Sequence, residues 1–419
     1  MVTSSPSSPA PESASDFDSD PNSDSDPNSD SASADLSGPD FTPEQYARSK
    51  ARKRATAPVR YTSLAVDLAA VCVLGFSAAG SDLVHAAGKL GGGGWIATAL
   101  LGAVALRVVL WLLDLPFSLW RERINKDWGL STRTRRLFWF DALRGFVLSA
   151  VLFAAVSLGF FAITRAAPGS WALIAGAGGV VLVFVLSFLL PVVIEPIFNK
   201  FRPLEEGELR SRLMGLAGES GVKVQDVLVS DASKRTTADN AYVSGFGKTR
   251  RIVLWDTTIS HCDTAEIASV AAHELGHAKR QDVVTGTALG ALGTIVSVAV
   301  LAWALGREPL RSAANVAGAQ DPRAIGLVMA VATVLGMIGG PLFNAYSRRI
   351  ERRADQFSLD VTRDPAAMVA TWRRLGVRNI ADLEPHPLGV LLFATHPPIP
   401  ARLAHARDWA DRSRAAASA

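Results

Sequence analysis

Ala271-Ala272-His273-Glu274-Leu275-Gly276-His277 holds two histidines four residues apart, with a glutamate directly after the first. On a helix that spacing puts both imidazoles on one face, one turn apart. There they can close on a single tetrahedral Zn²⁺ while Glu274 faces the water the ion would activate. A catalytic zinc needs three protein ligands and one open position. The chain has two cysteines, Cys72 and Cys262, the first inside an apolar block, so the third donor must be a histidine or carboxylate. The best candidate is Glu351 in Ser347-Arg348-Arg349-Ile350-Glu351-Arg352-Arg353-Ala354-Asp355. Asp355, one turn further on the same face, can accept the second ring N–H of a zinc-bound histidine and fix its tautomer. Taken alone, Glu351 and Asp355 among four arginines would be a solvated charge face. The two-histidine motif makes ligation the stronger reading.

These residues must be positioned from a chain of 419 residues that is nearly half apolar, with positive mean hydropathy. Six apolar blocks, roughly 62–82, 95–118, 146–164, 171–194, 284–305 and 324–345, reach the ~20 residues a bilayer crossing takes. Arg107 and Asp114 in or near the second block either line a polar interior or pair structurally. The loops alternate: 48–60, 119–145 and the stretch after 346 are rich in Arg and Lys, whereas 83–94, 165–170 and 306–323 are poor. The positive-inside rule then places both termini, an insert over 196–283 and the tail after 346 together in the cytoplasm. Basic residues between apolar blocks mark membrane flanks rather than a nucleic-acid surface. Residues 1–47 carry no Lys or Arg and little apolar content. They read as a disordered acidic spacer and exclude an ordinary signal peptide. The Arg-over-Lys bias and abundant Ala hint at a GC-rich bacterial genome.

The expected organisation is a tail and basic flank (1–60), N-terminal membrane helices (61–195), a catalytic insert (196–283), C-terminal membrane helices (284–346) and a third-ligand helix with a C-terminal segment (347–419). Within the insert, Glu205–Leu216 reads as an amphipathic helix and Lys223–Val229 as a strand. Ala241–Ser244 and Arg251–Trp255 read as strands joined by a glycine-containing turn. Asp263-Thr264-Ala265-Glu266 has the form of a capping box opening the two-histidine helix, which should run to about Lys279.

Several motifs in order resemble the type I CaaX prenyl proteases, integral-membrane gluzincin zinc metallopeptidases. They are Pro116-Phe117-Ser118-Leu119-Trp120, Phe138-Trp139-Phe140-Asp141-Ala142, Glu195-Pro196-Ile197-Phe198-Asn199-Lys200-Phe201 with Pro203-Leu204, and Ser233-Lys234-Arg235. Asn240-Ala241-Tyr242, Gly245-Phe246, Arg251–Leu254 with Asp256-Thr257, the Ser347–Phe357 stretch and His396-Pro397-Pro398 with Arg402-Leu403 complete the set. The resemblance spans most of 60–410. It implies a mostly α polytopic membrane protein carrying a zincin-like α+β peptidase domain on the cytoplasmic face. It also implies one zinc on His273, His277 and Glu351, Glu274 as general base, and Asp355 orienting a ligand or aiding proton transfer. His396 would stabilise the developing oxyanion or contact the substrate. Asn240 and Tyr242 would hold the substrate backbone as an added β-strand, and Arg402 would support substrate binding chiefly by bracing the site. The family has seven membrane helices, against six counted here. Three readings stay beside the peptidase: a heat-shock-type quality-control metalloprotease, a proteolytically silent zinc scaffold or sensor, and a transporter. Intact Glu274 argues against the silent scaffold, and the long insert against the transporter.

Overall fold

The computed structural model describes residues 36, 38–189 and 193–418; the tail over 1–35 and Pro191 of the fourth apolar block lie outside the described residues. The chain opens with α1 (Pro43–Phe76), the short α2 (Ala78–Leu90), and the long α3 (Trp95–Asp127), α4 (Arg135–Ala166) and α5 (Trp171–Leu189). A single turn, α6 (Glu195–Phe198), leads into the insert: β1 (Phe201–Pro203), α7 (Glu208–Glu219), β2 (Asp226–Ser230), β3 (Ala241–Ser244), β4 (Arg251–Trp255), α8 (Asp256–His261) and α9 (Thr264–Arg280). Then come α10 (Asp282–Gly306), α11 (Glu308–Ala313), α12 (Ile325–Thr362), α13 (Pro365–Arg378), α14 (Pro387–Phe393) and α15 (Ile399–Ser418).

Six of these helices, α1, α3, α4, α5, α10 and α12, are long and apolar enough to cross a bilayer. Each packs chiefly on two of the others, in the order α1, α3, α4, α5, α10, α12 and back to α1, so six suffice to close a ring. Leu106, Phe161, Leu301, Leu305 and Leu327 of these helices form one buried apolar cluster. α1 and α12 meet backbone to backbone: a Cβ on Gly75 would lie 2.1 Å from that of Ala330. The polar groups of α3 pair structurally. Asp114 accepts from Arg121 at 2.9 Å and from Ser118 at 2.8 Å, and Arg107 donates to Ser149 at 3.2 Å.

Several helices outrun the apolar blocks. The 33 residues of α3 extend about 50 Å, well beyond a hydrocarbon core, so much of the expected basic loop 119–145 is helix. The 38 residues of α12 run about 57 Å, past an internal Pro341, and carry the last membrane span directly into Glu351 and Asp355.

The expectation of disorder through residue 47 needs correction at its end. Thr42 and Gln45 form a capping box with Pro43 at the first helical position, which starts α1 well before the membrane. Phe41 is buried among Leu359, Met368, Val369 and Leu403, where it covers apolar surface on α13 and α15. The first block also ends early, because Ser77 caps a new helix, α2.

In the insert, the four strands lie in the order β1-β2-β4-β3, with β2 and β4 parallel and β3 antiparallel to β4 at the edge. The alternating Ile252 and Leu254 face inward against Leu213 and Leu216 of α7 and Ile267 and Leu275 of α9. Strands β3 and β4 match their expected bounds. The expected helix over 205–216 begins at Glu208 because Phe201–Pro203 forms β1, pairing antiparallel with β2, and the chain turns at Gly207 before the helix. The insert docks on the membrane helices through Arg235, whose Nε and Nη2 each donate to Asp141 of α4 at 2.8 Å.

Candidate active site

Asp263 caps α9 by accepting from the Glu266 N–H at 2.8 Å, and Glu266 reaches back to the Asp263 N–H at 3.0 Å. The apolar stripe Ile267, Ala268, Ala271, Ala272 and Leu275 then faces the sheet and α7. This rotation turns His273 and His277 toward α12. Gly276 permits the crossing: a Cβ there would meet the Phe357 ring at 3.1 Å. Glu351 and Asp355 are consequently buried beside the histidines.

The donor atoms converge. His273 Nε2 and His277 Nε2 are 3.2 Å apart. Glu351 presents Oε2 to His273 Nε2 at 3.3 Å and Oε1 to His277 Nε2 at 3.5 Å. Ligands about 2.05 Å from a tetrahedral zinc stand about 3.3 Å from one another, so these separations match such an ion. Glu351 Oε2 is also buried with no hydrogen-bond donor aligned on it, the Arg402 guanidinium standing 3.8 Å away. Burial favours neutral His273, but Asp355 and Glu351 outweigh it and lift its pKa to about 9. The field that holds a proton there would also hold a divalent cation.

Both histidines have their second ring nitrogen on a carboxylate. His273 Nδ1 lies 3.0 Å from Asp355 Oδ1, as the sequence suggested. His277 Nδ1 lies 3.0 Å from Asp282 Oδ2, which sequence reasoning missed. Gln281, in the left-handed region at φ 55°, turns the chain from α9 into α10 and brings Asp282 back under His277. Its only sequence signal is an aspartate one residue past that turn. Asp282→Asn is expected to weaken metal affinity about 10- to 100-fold, read by competition with a chromophoric chelator. Unchanged affinity would leave Asp282 merely a helix-start residue.

Glu274 lies with its carboxylate within 4.8 Å of a ring nitrogen of each histidine but forms no ion pair with either. Burial pushes its carboxyl upward, against the pull of the neighbouring histidines. It borders two cavities. One, of about 970 Å³, lies toward the ends of α5 and α10; the other, of about 520 Å³, is walled by Asn240, Trp372, His396 and Arg402. Edge strand β3 runs between them, with Asn240 and Ala241 on the second and Val243 and Ser244 on the first.

His396 joins the cluster: its Nε2 is 3.4 Å from Glu351 Oε1, and its Nδ1 is 2.8 Å from Thr395 Oγ1. Asn240 is exposed, its Oδ1 accepting from the Ala241 N–H at 2.9 Å. Tyr242 points from β3 to Glu195 at 3.4 Å, and burial together with Glu195 keeps its phenol protonated. Arg402 borders the second cavity but is engaged inward, in a bracing position. It is buried, donates to Asp355 through Nε at 2.8 Å, and stacks on the Trp372 ring at 3.3 Å. The sequence gives no sign of Trp372, whose partners come from other helices. Cys262, beside the second cavity, is pushed up to about 12 by burial and then by Glu266 and Asp239, so it is no nucleophile at neutral pH.

Comparison with known proteins identifies the family. A model of the CAAX prenyl protease N-terminal region, with five membrane helices, matches residues 30–200, and one of peptidase family M48 matches 203–410. The uncharacterized metalloprotease YhfN of Bacillus subtilis (strain 168) is 32% identical over 303 residues, covering 72% of this chain and 71% of YhfN. A CAAX prenyl protease 1 homolog of Oryza sativa subsp. japonica is 31% identical over 307 residues, 72% of each chain. The crystal structure of S. mikatae Ste24p superposes with a TM-score of 0.76 at 25% identity, over 88% of this chain and 92% of that one. With its membrane ring, its paired histidines and its carboxylate-bearing helix, the chain belongs to peptidase family M48 and is a multi-pass membrane metallopeptidase of the CAAX prenyl protease kind.

Proposed function

We propose that the metal is zinc, held by His273, His277 and Glu351, and that the chain cuts peptide bonds at the cytoplasmic face of the membrane. The carrying observation is that His273 Nε2 and His277 Nε2 stand 3.2 Å apart with one Glu351 oxygen 3.3 Å from the first and the other 3.5 Å from the second, and with the Glu274 carboxylate within 4.8 Å of both rings. Zinc there would supply Lewis-acid polarisation of the scissile carbonyl and acidify a water. Glu274 takes the water's proton and carries it to the leaving amine. Asp355 and Asp282 fix the ring orientation of the two histidines, and Arg402 holds Asp355 in place. His396, on the open side of the cleft, donates toward the developing oxyanion. The substrate lies extended along the free edge of β3, its backbone pairing with the strand and Asn240 beside it, with side chains entering the two cavities.

The cytoplasmic placement rests on the basic residues of α1, the α3–α4 connection and α12, which flank the same ends of the membrane helices as the site. Chelator treatment of the detergent-purified protein is expected to abolish cleavage of an unprenylated peptide library, and one equivalent of zinc to restore it. Stoichiometric zinc without cleavage of any peptide, prenylated peptides included, would refute catalysis. Cleavage that strictly requires a prenyl group would narrow the substrate class, and indifference to it would favour a broader membrane-protein protease.

A further inference from the structure

Glu195 stands where the fourth membrane helix gives way to the peptidase domain, on the wall of the cavity of about 970 Å³ that reaches Glu274 and His277. That wall is otherwise largely apolar, with Phe188, Phe198, Phe246, Val283 and Val284. Glu195 Oε2 accepts from the Tyr242 and Ser244 hydroxyls, each at 3.4 Å. The two hydroxyls are two residues apart on β3 and so project from one face of the strand along which substrate would lie. Among the described residues, no Lys, Arg or His is ion-paired with Glu195. Arg251 on β4 acts on it only through space, and Arg250, which borders the same cavity, is drawn over the Phe246 ring at 5.8 Å rather than onto the carboxylate.

An apolar trough ending at an unpaired carboxylate suits one class of side chain: an aliphatic stem bearing a cation. The methylenes lie along the phenyl and valyl surfaces while the charged head reaches the carboxylate. We propose that Glu195, with Tyr242 and Ser244, forms a subsite selecting a lysine or arginine of the substrate on the membrane-helix side of the scissile bond. This rests on the reading of β3 as the substrate strand. The neutral occupant of such a trough, an aliphatic residue of the same length, is the competitor that the test must exclude.

Full-length zinc-loaded protein in detergent is given peptides in which lysine, acetyl-lysine, norleucine or glutamate is stepped through the positions flanking the cut, with products mapped by mass spectrometry. At one position, lysine is expected to exceed norleucine in kcat/KM by on the order of 10- to 100-fold, with acetyl-lysine falling to the norleucine level and glutamate lowest. In Glu195→Gln the lysine-to-norleucine ratio should fall to within about twofold, and Glu195→Lys should favour glutamate instead. Equal cleavage of lysine and acetyl-lysine peptides at every position by the unaltered protein overturns the subsite while the peptidase stands, and that comparison needs no variant to fold. A lysine preference that survives in folded Glu195→Gln overturns it too. No cleavage of any peptide, prenylated ones included, by zinc-loaded protein overturns the substrate-strand reading beneath it as well.

Discussion

Glu274→Gln is expected to retain bound zinc and to lose about 10²- to 10⁴-fold in kcat, the usual cost of removing a positioned general base. The amide has nearly the shape of the carboxylate but cannot take a proton from water. Glu274 makes no ion pair with His273 or His277, so its replacement leaves the three donors in place. Its neighbours Ala272 and Leu275 carry the packing of α9, and the substitution does not touch them. Zinc content by elemental analysis should therefore equal that of the unaltered protein, and chelator competition should give the same affinity within about threefold. Glu351→Gln separates the roles, because it removes a charged donor and should lower zinc content as well as turnover. Retained peptidase activity in Glu274→Gln would rule out the assigned base. Loss of zinc in Glu274→Gln would make Glu274 a ligand instead.

What could be read from the sequence follows from how locally each feature is encoded. The six membrane helices were legible because a bilayer demands ~20 apolar residues in a row, and nothing else in the chain supplies them. Helix α9 was legible from Asp263 to Lys279 because its cap and its apolar stripe are both short-range patterns. Glu351 and Asp355 lay one turn apart on a stretch that could only continue the last membrane span, so their shared face was legible too. Strand β1 was not, since its three residues include a proline and gain order only by pairing with β2.

Long-range partners were equally hidden. Phe41 carries no local periodicity, yet it is buried against Leu359 and Leu403, more than three hundred residues further along the chain. The Asp141–Arg235 pair joins a membrane helix to the insert, and each residue alone looks like an ordinary surface charge. The family resemblance had marked both of their motifs without saying that they touch. Asp282 sits past a left-handed turn, where helical spacing from His277 no longer predicts direction. Ring closure with six helices likewise depends on packing partners, not on helix count.

Arg402→Met should destabilise the folded protein by about 3–5 kcal/mol, the cost of stranding one member of a buried ion pair. Both partners are almost wholly inaccessible, with side-chain exposures of 5% for Arg402 and 1% for Asp355. Methionine fills much of the arginine stem's volume against Trp372, so the loss comes from charge and hydrogen bonding rather than from a void. Asp355 would keep only its contact with His273 Nδ1, and that ring would lose the restraint that aims Nε2 at Glu351. Metal affinity should fall together with the thermal midpoint in detergent, which a purely structural brace far from the donors would not produce. Arg402→Lys keeps the charge but neither the paired donors nor the flat stacking face, so it should recover only part of the loss. The double variant Arg402→Met with Asp355→Asn removes both charges and should be less unstable than the two single losses added together, by on the order of 0.5–3 kcal/mol. Simple additivity, with zinc affinity untouched in Arg402→Met, would show that Arg402 packs beside the site without holding Asp355 to its histidine.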